Sequence, residues 1–406
     1  MNRTEERYRL PECLPAPHPA LRFCIVVPAR DEAAHVGAAL AAIAAQCRAD
    51  DRSLPYGAVE TIVFANGCGD PTAERVRAFA AATPHALVHV VEAALPRHRA
   101  HVGTARAALM DAAAERLAAV GRPDGTIATT DADSVTGARW IAETERALRD
   151  ADAVGGRIFV DAATTRALDP ALARALATDE RYRFAVARLE ARRDPLAHDP
   201  WPRHGQQFGA SLAVRADVYE RAGGLPAVPV LEDVAFYGAL ARIDARFRHS
   251  LRVRVTTSPR FDPRAGGGFG THVAKMRALA ERGRSMHVED PELTLARVAT
   301  RAALRRYFHA GPGAATAAER RLAAETFATT EAHLDDVLEA APAFGAAFES
   351  LERAATEAGA FARAGVAIER ATERLEAYAR ERFELRAAPR ATAWRAALSK
   401  AASGFG

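Results

Sequence analysis

The chain has 406 residues, 49% hydrophobic and 26% charged, which allows two or three domains and excludes disordered and fibrous classes. A net charge of +4 is small for this length and carries no nucleic-acid signature. The four cysteines (Cys13, Cys24, Cys47, Cys68) form no Cys-x-x-Cys pair, and neither a signal peptide nor a run of transmembrane length is apparent, so a soluble cytoplasmic protein without disulfides is expected.

Residues 1–21 are polar and proline-rich and read as an irregular arm. Phe23-Cys24-Ile25-Val26-Val27 is an apolar run of buried-strand length closed by Pro28, and a helix is expected over Ala33–Ala45. A second strand, Glu60–Ala65, breaks at Asn66-Gly67-Cys68-Gly69-Asp70-Pro71-Thr72, and a helix follows over Ala73–Ala82. Ala86–Val91 reads as a third strand, Thr104–Val120 as a helix, and Gly125–Thr130 as a fourth strand running into Asp131-Ala132-Asp133. Beyond it the pattern predicts a helix over Arg139–Leu148, a strand over Ala153–Val160 and a helix over Asp169–Arg193. His198–Gly205 is a loop rich in breakers, long enough to cover a site. Gln206–Val214 is expected as a strand, Leu231-Glu232-Asp233 opens a helix, Arg252–Val255 alternates as a strand, and Arg264–His272 is a glycine loop. From residue 286 the chain turns alanine-, glutamate- and arginine-rich with helical spacing, a region suited to packing on the preceding domain or on a second copy of the chain as a homodimer.

Strand–helix alternation from Phe23 to Asp133 predicts a mostly parallel α/β sheet with helices on both faces. Ligands in such sheets bind beyond the carboxyl ends of the strands. Pro28–Glu32, Asn66–Asp70, Arg97–Arg106 and Asp131–Asp133 all fall at those ends, and that convergence marks a site. Two carboxylates one residue apart on a turn can share a hard divalent cation. Equally, they can solvate a loop or cap the next helix.

Val26-Val27-Pro28-Ala29-Arg30-Asp31-Glu32, Ala65–Thr72, Asp131-Ala132-Asp133, Gly209–Arg215 with Gly223-Gly224, and Leu231-Glu232-Asp233 together resemble family 2 glycosyltransferases. The resemblance covers roughly residues 22–280 and implies a GT-A fold over 22–285, with a helical region over 286–406 outside it. It places Pro28, Arg30 and Glu32 on a nucleotide rim, with Asn66 near the base or ribose. Gly103, Ala105 and Arg106 would lie along the nucleotide, the glycine admitting the ligand and the arginine pairing with phosphate. Asp131 and Asp133 would hold Mg²⁺ or Mn²⁺ on the diphosphate of a UDP- or GDP-sugar, with His272 as a further ligand. Glu232-Asp233 resembles the acid pair supplying the base of inverting members, Asp233 ahead of Glu232, although acids at a helix start also favour the dipole. Trp201 and Phe208 are candidates to stack on a sugar, or core residues; His204 and His249 are weaker ligand candidates than His272.

The expected activity is metal-dependent transfer of one sugar to an acceptor hydroxyl, probed against three alternatives. These are a retaining transferase of the glucosyl- or mannosyl-glycerate synthase kind, a nucleotidyltransferase, and a non-catalytic sugar-nucleotide-binding module. No Gln-x-x-Arg-Trp sequence follows Glu232-Asp233, which argues against processive polymer synthesis.

Overall fold

The computed structural model describes residues 7–160, 168–257 and 268–384. The glycine-loop residues 264–267 and the basic tail segment 392–402 lie outside them. The chain runs β1 (Phe23–Ala29), α1 (Val36–Ala44), β2 (Val59–Asn66), α2 (Thr72–Ala82), β3 (Leu87–Ala93), α3 (Val102–Ala119) and β4 (Thr126–Thr129). It continues through β5 (Ser134–Thr136), α4 (Trp140–Ala147), β6 (Ala153–Val160), α5 (Pro170–Arg193), β7 (Leu212–Arg215), α6 (Ala216–Arg221), α7 (Glu232–Ala241) and β8 (Phe247–Thr257).

These strands form one eight-stranded sheet in the order β3-β2-β1-β4-β7-β6-β8-β5. All neighbouring pairs from β3 through β4 are parallel, as is β6 with β8, whereas β7 is antiparallel to both β4 and β6. β1 reads as an unbroken apolar run because both its faces are covered. Cys24 and Val26 enter a core with α3, α6 and α7, while Phe23, Ile25 and Val27 enter a second core with α1, α2 and α4. The expected α/β class with helices on both faces is therefore the class observed, and a C-terminal helical region follows the sheet.

Two strands differ from expectation. β8 is longer than Arg252–Val255, and its pairing with β6 carries a bulge between Gly156 and Arg157. β7 begins only at Leu212, not at Gln206, because the peptide groups of Gly209 bond to side chains instead of a neighbouring strand.

After β8 come α8 (Phe269–Glu281), β9 (His287–Val288), α9 (Pro291–Ala310), α10 (Ala317–Thr326), α11 (Glu331–Ala340), α12 (Phe344–Glu357), β10 (Val366–Ala367) and α13 (Ile368–Ala379). Leu304, Phe327, Leu334, Phe344 and Leu351 form this region's own core. It is fastened to the sheet domain by Asp194, which receives Arg301 at 3.1 Å and Arg305 at 3.0 Å, and by Asp244, which receives the amides of Phe344 and Gly345 at 2.7 and 2.8 Å. Among the described residues no helix is long and apolar enough to cross a membrane.

Candidate active site

β4 stops at Thr129, but the amide of Thr130 still donates to Val26 at 3.2 Å, so β1 carries the chain to the sheet's upper rim. The next four residues turn, Ser134 N–H donating to the Asp131 carbonyl at 3.1 Å. Ala132 is buried in the core and anchors the turn, while Asp131 and Asp133 on either side stay partly exposed. The turn then delivers the chain to β5, where Ser134 Oγ bonds Thr257 Oγ1 at 3.1 Å. The carboxylates thus lie on the crossing from β4, at the centre of the sheet, to the edge strand β5, which pairs with β8.

Arg106 gathers the rest of the site. Its side chain, only 4% exposed, donates from Nε to Glu232 at 3.0 Å and from Nη2 to Asp131 at 2.8 Å. Nη1 donates to Thr129 Oγ1 at 2.5 Å and to the Gly209 carbonyl at 3.0 Å. Burial alone would disfavour the guanidinium charge; Asp131, Glu232 and Asp233 outweigh it and raise the arginine pKa above its ordinary value. For Glu232 burial is the larger influence, and despite Arg106 its carboxyl is pushed above the usual range, with Asp233 adding to the rise. Asp233 is less buried than Glu232. Its Oδ2 accepts from the Gly209 amide at 2.8 Å and its Oδ1 from its own helix at Val234 N, also 2.8 Å.

The sequence reading set Arg106 along the nucleotide, but its guanidinium points inward and is spent on protein partners. Gly103 changes in the same way. A Cβ there would lie 2.0 Å from the Val228 carbonyl oxygen and 3.2 Å from Glu232 Cβ, so its close approach is to the chain leading into α7. Gly209 is needed too, since a Cβ would meet the Arg106 guanidinium carbon at 2.6 Å. Gly209 and Val228 contribute through their backbones, and sequence offered no side chain by which to single them out.

At the ends of β1 and β2 the expected rim residues sit on interlaced loops. Arg30 is exposed, Pro28 half-buried, and Glu32 buried with its amide donating to Thr72 Oγ1 at 2.7 Å. Asn66 Oδ1 accepts from Leu95 N at 2.9 Å, fixing where β3 leaves the sheet. Asp31, Cys68 and Asp70 converge closely enough to share a cation. The two acids already serve the loops: Asp31 accepts from Gly69 N at 2.6 Å and Asp70 from Ala33 N at 2.9 Å.

His272 is not brought to Asp131 and Asp133. Its Nε2 faces Asp179 Oδ2 at 3.1 Å, because Val273 and Met276 pack α8 against Leu172 of α5 and set the imidazole over that helix. Burial would raise Asp179, yet the hydrogen bond with His272 and the charge of Arg183 hold its carboxyl below the ordinary value. His249 and His204 also have structural partners. Asp199 accepts from His249 N at 2.9 Å, from its Nδ1 at 2.8 Å and from Arg248 at 2.9 Å. His204 accepts from Gln206 N at 2.9 Å and meets the Ser250 carbonyl at 3.2 Å; burial drives its pKa well below the ordinary value, so the ring stays neutral. Together they pin the loop that leads to Gly209. Trp201 lines an open cleft of about 510 Å³ with Arg192, Leu196 and Pro200, and Phe208 is half-buried.

No family model and no curated protein matches the chain. Among solved structures it is similar to the mannosyltransferase PcManGT from Pyrobaculum calidifontis in complex with GDP-Man and Mn²⁺, at 19% identity over 91% of this chain and 90% of that one, with a TM-score of 0.42. It is also similar to S. aureus TarS 1-349 in complex with UDP-GlcNAc, at 12% identity over 83% and 92% of the two chains, with a TM-score of 0.43. Likenesses this distant assign no donor, metal or acceptor to this chain.

Proposed function

We propose that the chain is a metal-dependent glycosyltransferase that moves one sugar from a nucleotide-diphospho-sugar, a UDP- or GDP-sugar, to an acceptor hydroxyl with inversion. The observation that carries this reading is the gathering of Asp131, Glu232 and Asp233 around Arg106 and Gly209 beyond the carboxyl ends of the strands. Asp131 and Asp133 are hard oxygen donors, as Mg²⁺ or Mn²⁺ demands, and they are the residues that would hold the cation, which can take diphosphate oxygens as further ligands. The bound cation would neutralise charge developing on the leaving diphosphate. Pro28, Arg30, Glu32 and Asn66 form the rim assigned to the nucleotide.

Asp233 is the residue assigned as base. It is more accessible than Glu232, and its two hydrogen bonds hold the carboxylate at the head of α7. The acceptor oxygen forms the new bond to the anomeric carbon, its proton passes to Asp233, and the diphosphate leaves with the electrons of the broken carbon–oxygen bond. Attack from the face opposite the leaving group inverts the centre. Glu232, buried and committed to Arg106, is a positioning residue in this scheme.

The test is a melting-temperature panel of UDP- and GDP-sugars with and without Mn²⁺, followed by transfer assays on the donor that stabilises. A metal-dependent shift that disappears in Asp133→Ala, and turnover that disappears in Asp233→Asn, are the expected results. Absence of any metal-dependent shift would remove the reading, and a product with the donor's anomeric configuration would remove the inverting step.

A further inference from the structure

The hydrogen bonds of Arg106 are not equivalent. A guanidinium has five N–H groups. Four are used here, on Glu232, Thr129, the Gly209 carbonyl and Asp131. Thr129, Gly209 and Glu232 are buried, the Glu232 side chain 6% exposed, whereas the Asp131 side chain is 37% exposed. A buried partner left without its hydrogen bond stays unsatisfied, but a half-exposed carboxylate can exchange one partner for water or a cation. The Arg106–Asp131 bond is therefore the exchangeable member of the set. It also joins the carboxylate assigned to the cation with the buried acid beside the assigned base.

We propose that Arg106 is a positioning residue that competes with the divalent cation for Asp131 and thereby couples the cation side of the site to the acid pair at the head of α7. When Asp131 turns to a cation, Arg106 keeps its other three partners and its charge is left to Glu232. When no cation is bound, the same guanidinium clamps Asp131 to Glu232. This rests on the reading of Asp131 as a cation ligand, and the competition gives it a sign. A purely structural Arg106 would make cation binding weaker when removed; a competing Arg106 makes it tighter.

The experiment measures Mn²⁺ binding to the full chain, without sugar donor, by the loss of the free-ion resonance signal. Arg106→Gln is expected to bind Mn²⁺ about tenfold tighter than the native chain, inside the ~5–150-fold range of coupled sites. Glu232→Gln is expected to bind it more weakly, because Arg106 then falls fully on Asp131. The double variant, which removes both charges and leaves the net charge unchanged, should again bind more tightly than the native chain, which shows that Glu232 acts through Arg106. It also carries the test if Arg106→Gln alone does not fold. Unchanged or weaker binding in both folded Arg106 variants overturns the competition while leaving the proposed activity standing. Mn²⁺ binding in none of the proteins, with or without UDP or GDP, overturns both.

Discussion

Replacing Gly103 by Ala separates two forces of opposite sign. Gly103 lies in the first turn of α3, where Ala would ordinarily stabilise the helix by about 0.5–1 kcal/mol. Its added Cβ, however, would stand 2.0 Å from the Val228 carbonyl oxygen, where contacts under 3.0 Å are essentially never found. The obstacle is backbone and cannot rotate away, so α3 and the chain entering α7 must part by about 1 Å. Arg106 rides on α3 and Glu232 on α7, so their 3.0 Å bond would open to about 4 Å and cease to be a hydrogen bond. Overpacking of this kind costs about 1–3 kcal/mol, and a misplacement of ~1 Å in a catalytic group can cost about 100-fold in rate. Urea unfolding should therefore show Gly103→Ala less stable by ~1–2 kcal/mol, and the transfer assay should show a fall in kcat of about two orders of magnitude. A variant as stable as the native chain or more so, with native kcat, would refute the reasoning, since helix propensity would then have won.

Three further outcomes follow from side chains committed to single partners or to burial. Glu60, whose side chain is fully buried, receives Arg116 at 2.5 and 2.8 Å, and Arg116 also holds the arm through the Pro15 carbonyl at 2.8 Å. Glu60→Leu strands the guanidinium and should cost about 3–5 kcal/mol by urea unfolding; a loss under 1 kcal/mol would mean the pair is dispensable. His204 is held neutral in the fold, its pKa below the ordinary value, so the unfolded chain binds a proton that the native one refuses. Stability from this site is present above about pH 6.5 and lost as pH falls below it, and burial depresses His198 in the same direction. The urea midpoint should drop from pH 7 to pH 5 and drop less in His204→Gln; an equal slope in the two proteins would place the effect elsewhere. Asp244→Ala removes acceptors from two amides at the start of α12 and should cost about 1–2 kcal/mol, read as earlier urea unfolding.

How far the molecule was legible varies with the kind of interaction. β1, β2 and the helix between them follow from apolar runs and breakers, because each is decided by contacts spread along its length. The carboxylate turn after β4 was legible for the same reason, since Thr126–Thr129 ends a buried strand and polar residues follow. Arg106 shows the limit. Its residue type and neighbourhood were visible, but whether it faces a ligand or the interior depends on Glu232, 126 residues further on. His272 follows the same logic: its place after a glycine loop matched a ligand, yet packing of α8 on α5 assigned it to Asp179. β7 was predicted too long because Gly209 gives its peptide groups to Arg106 and Asp233, a trade no local pattern records.

The helical region beyond the sheet bears on the same acid pair. Leu231, the N-cap of α7, holds a left-handed backbone at φ 56° and sets Glu232 and Asp233 in the helix's first turn. At its far end Asp244, also left-handed at φ 51°, caps α12 through the amides of Phe344 and Gly345. A Cβ at Gly345 would lie 1.8 Å from the Ala241 carbonyl oxygen, so the two helix ends touch backbone to backbone. A strained turn, Arg106 and the Gly209 amide hold the front of α7; α12 holds its back. Such positive-φ residues persist only where their surroundings over-determine them. The C-terminal helices are thus a brace on the acid-bearing helix, and loosening Asp244 should disturb Glu232 and Asp233 at the opposite end of α7.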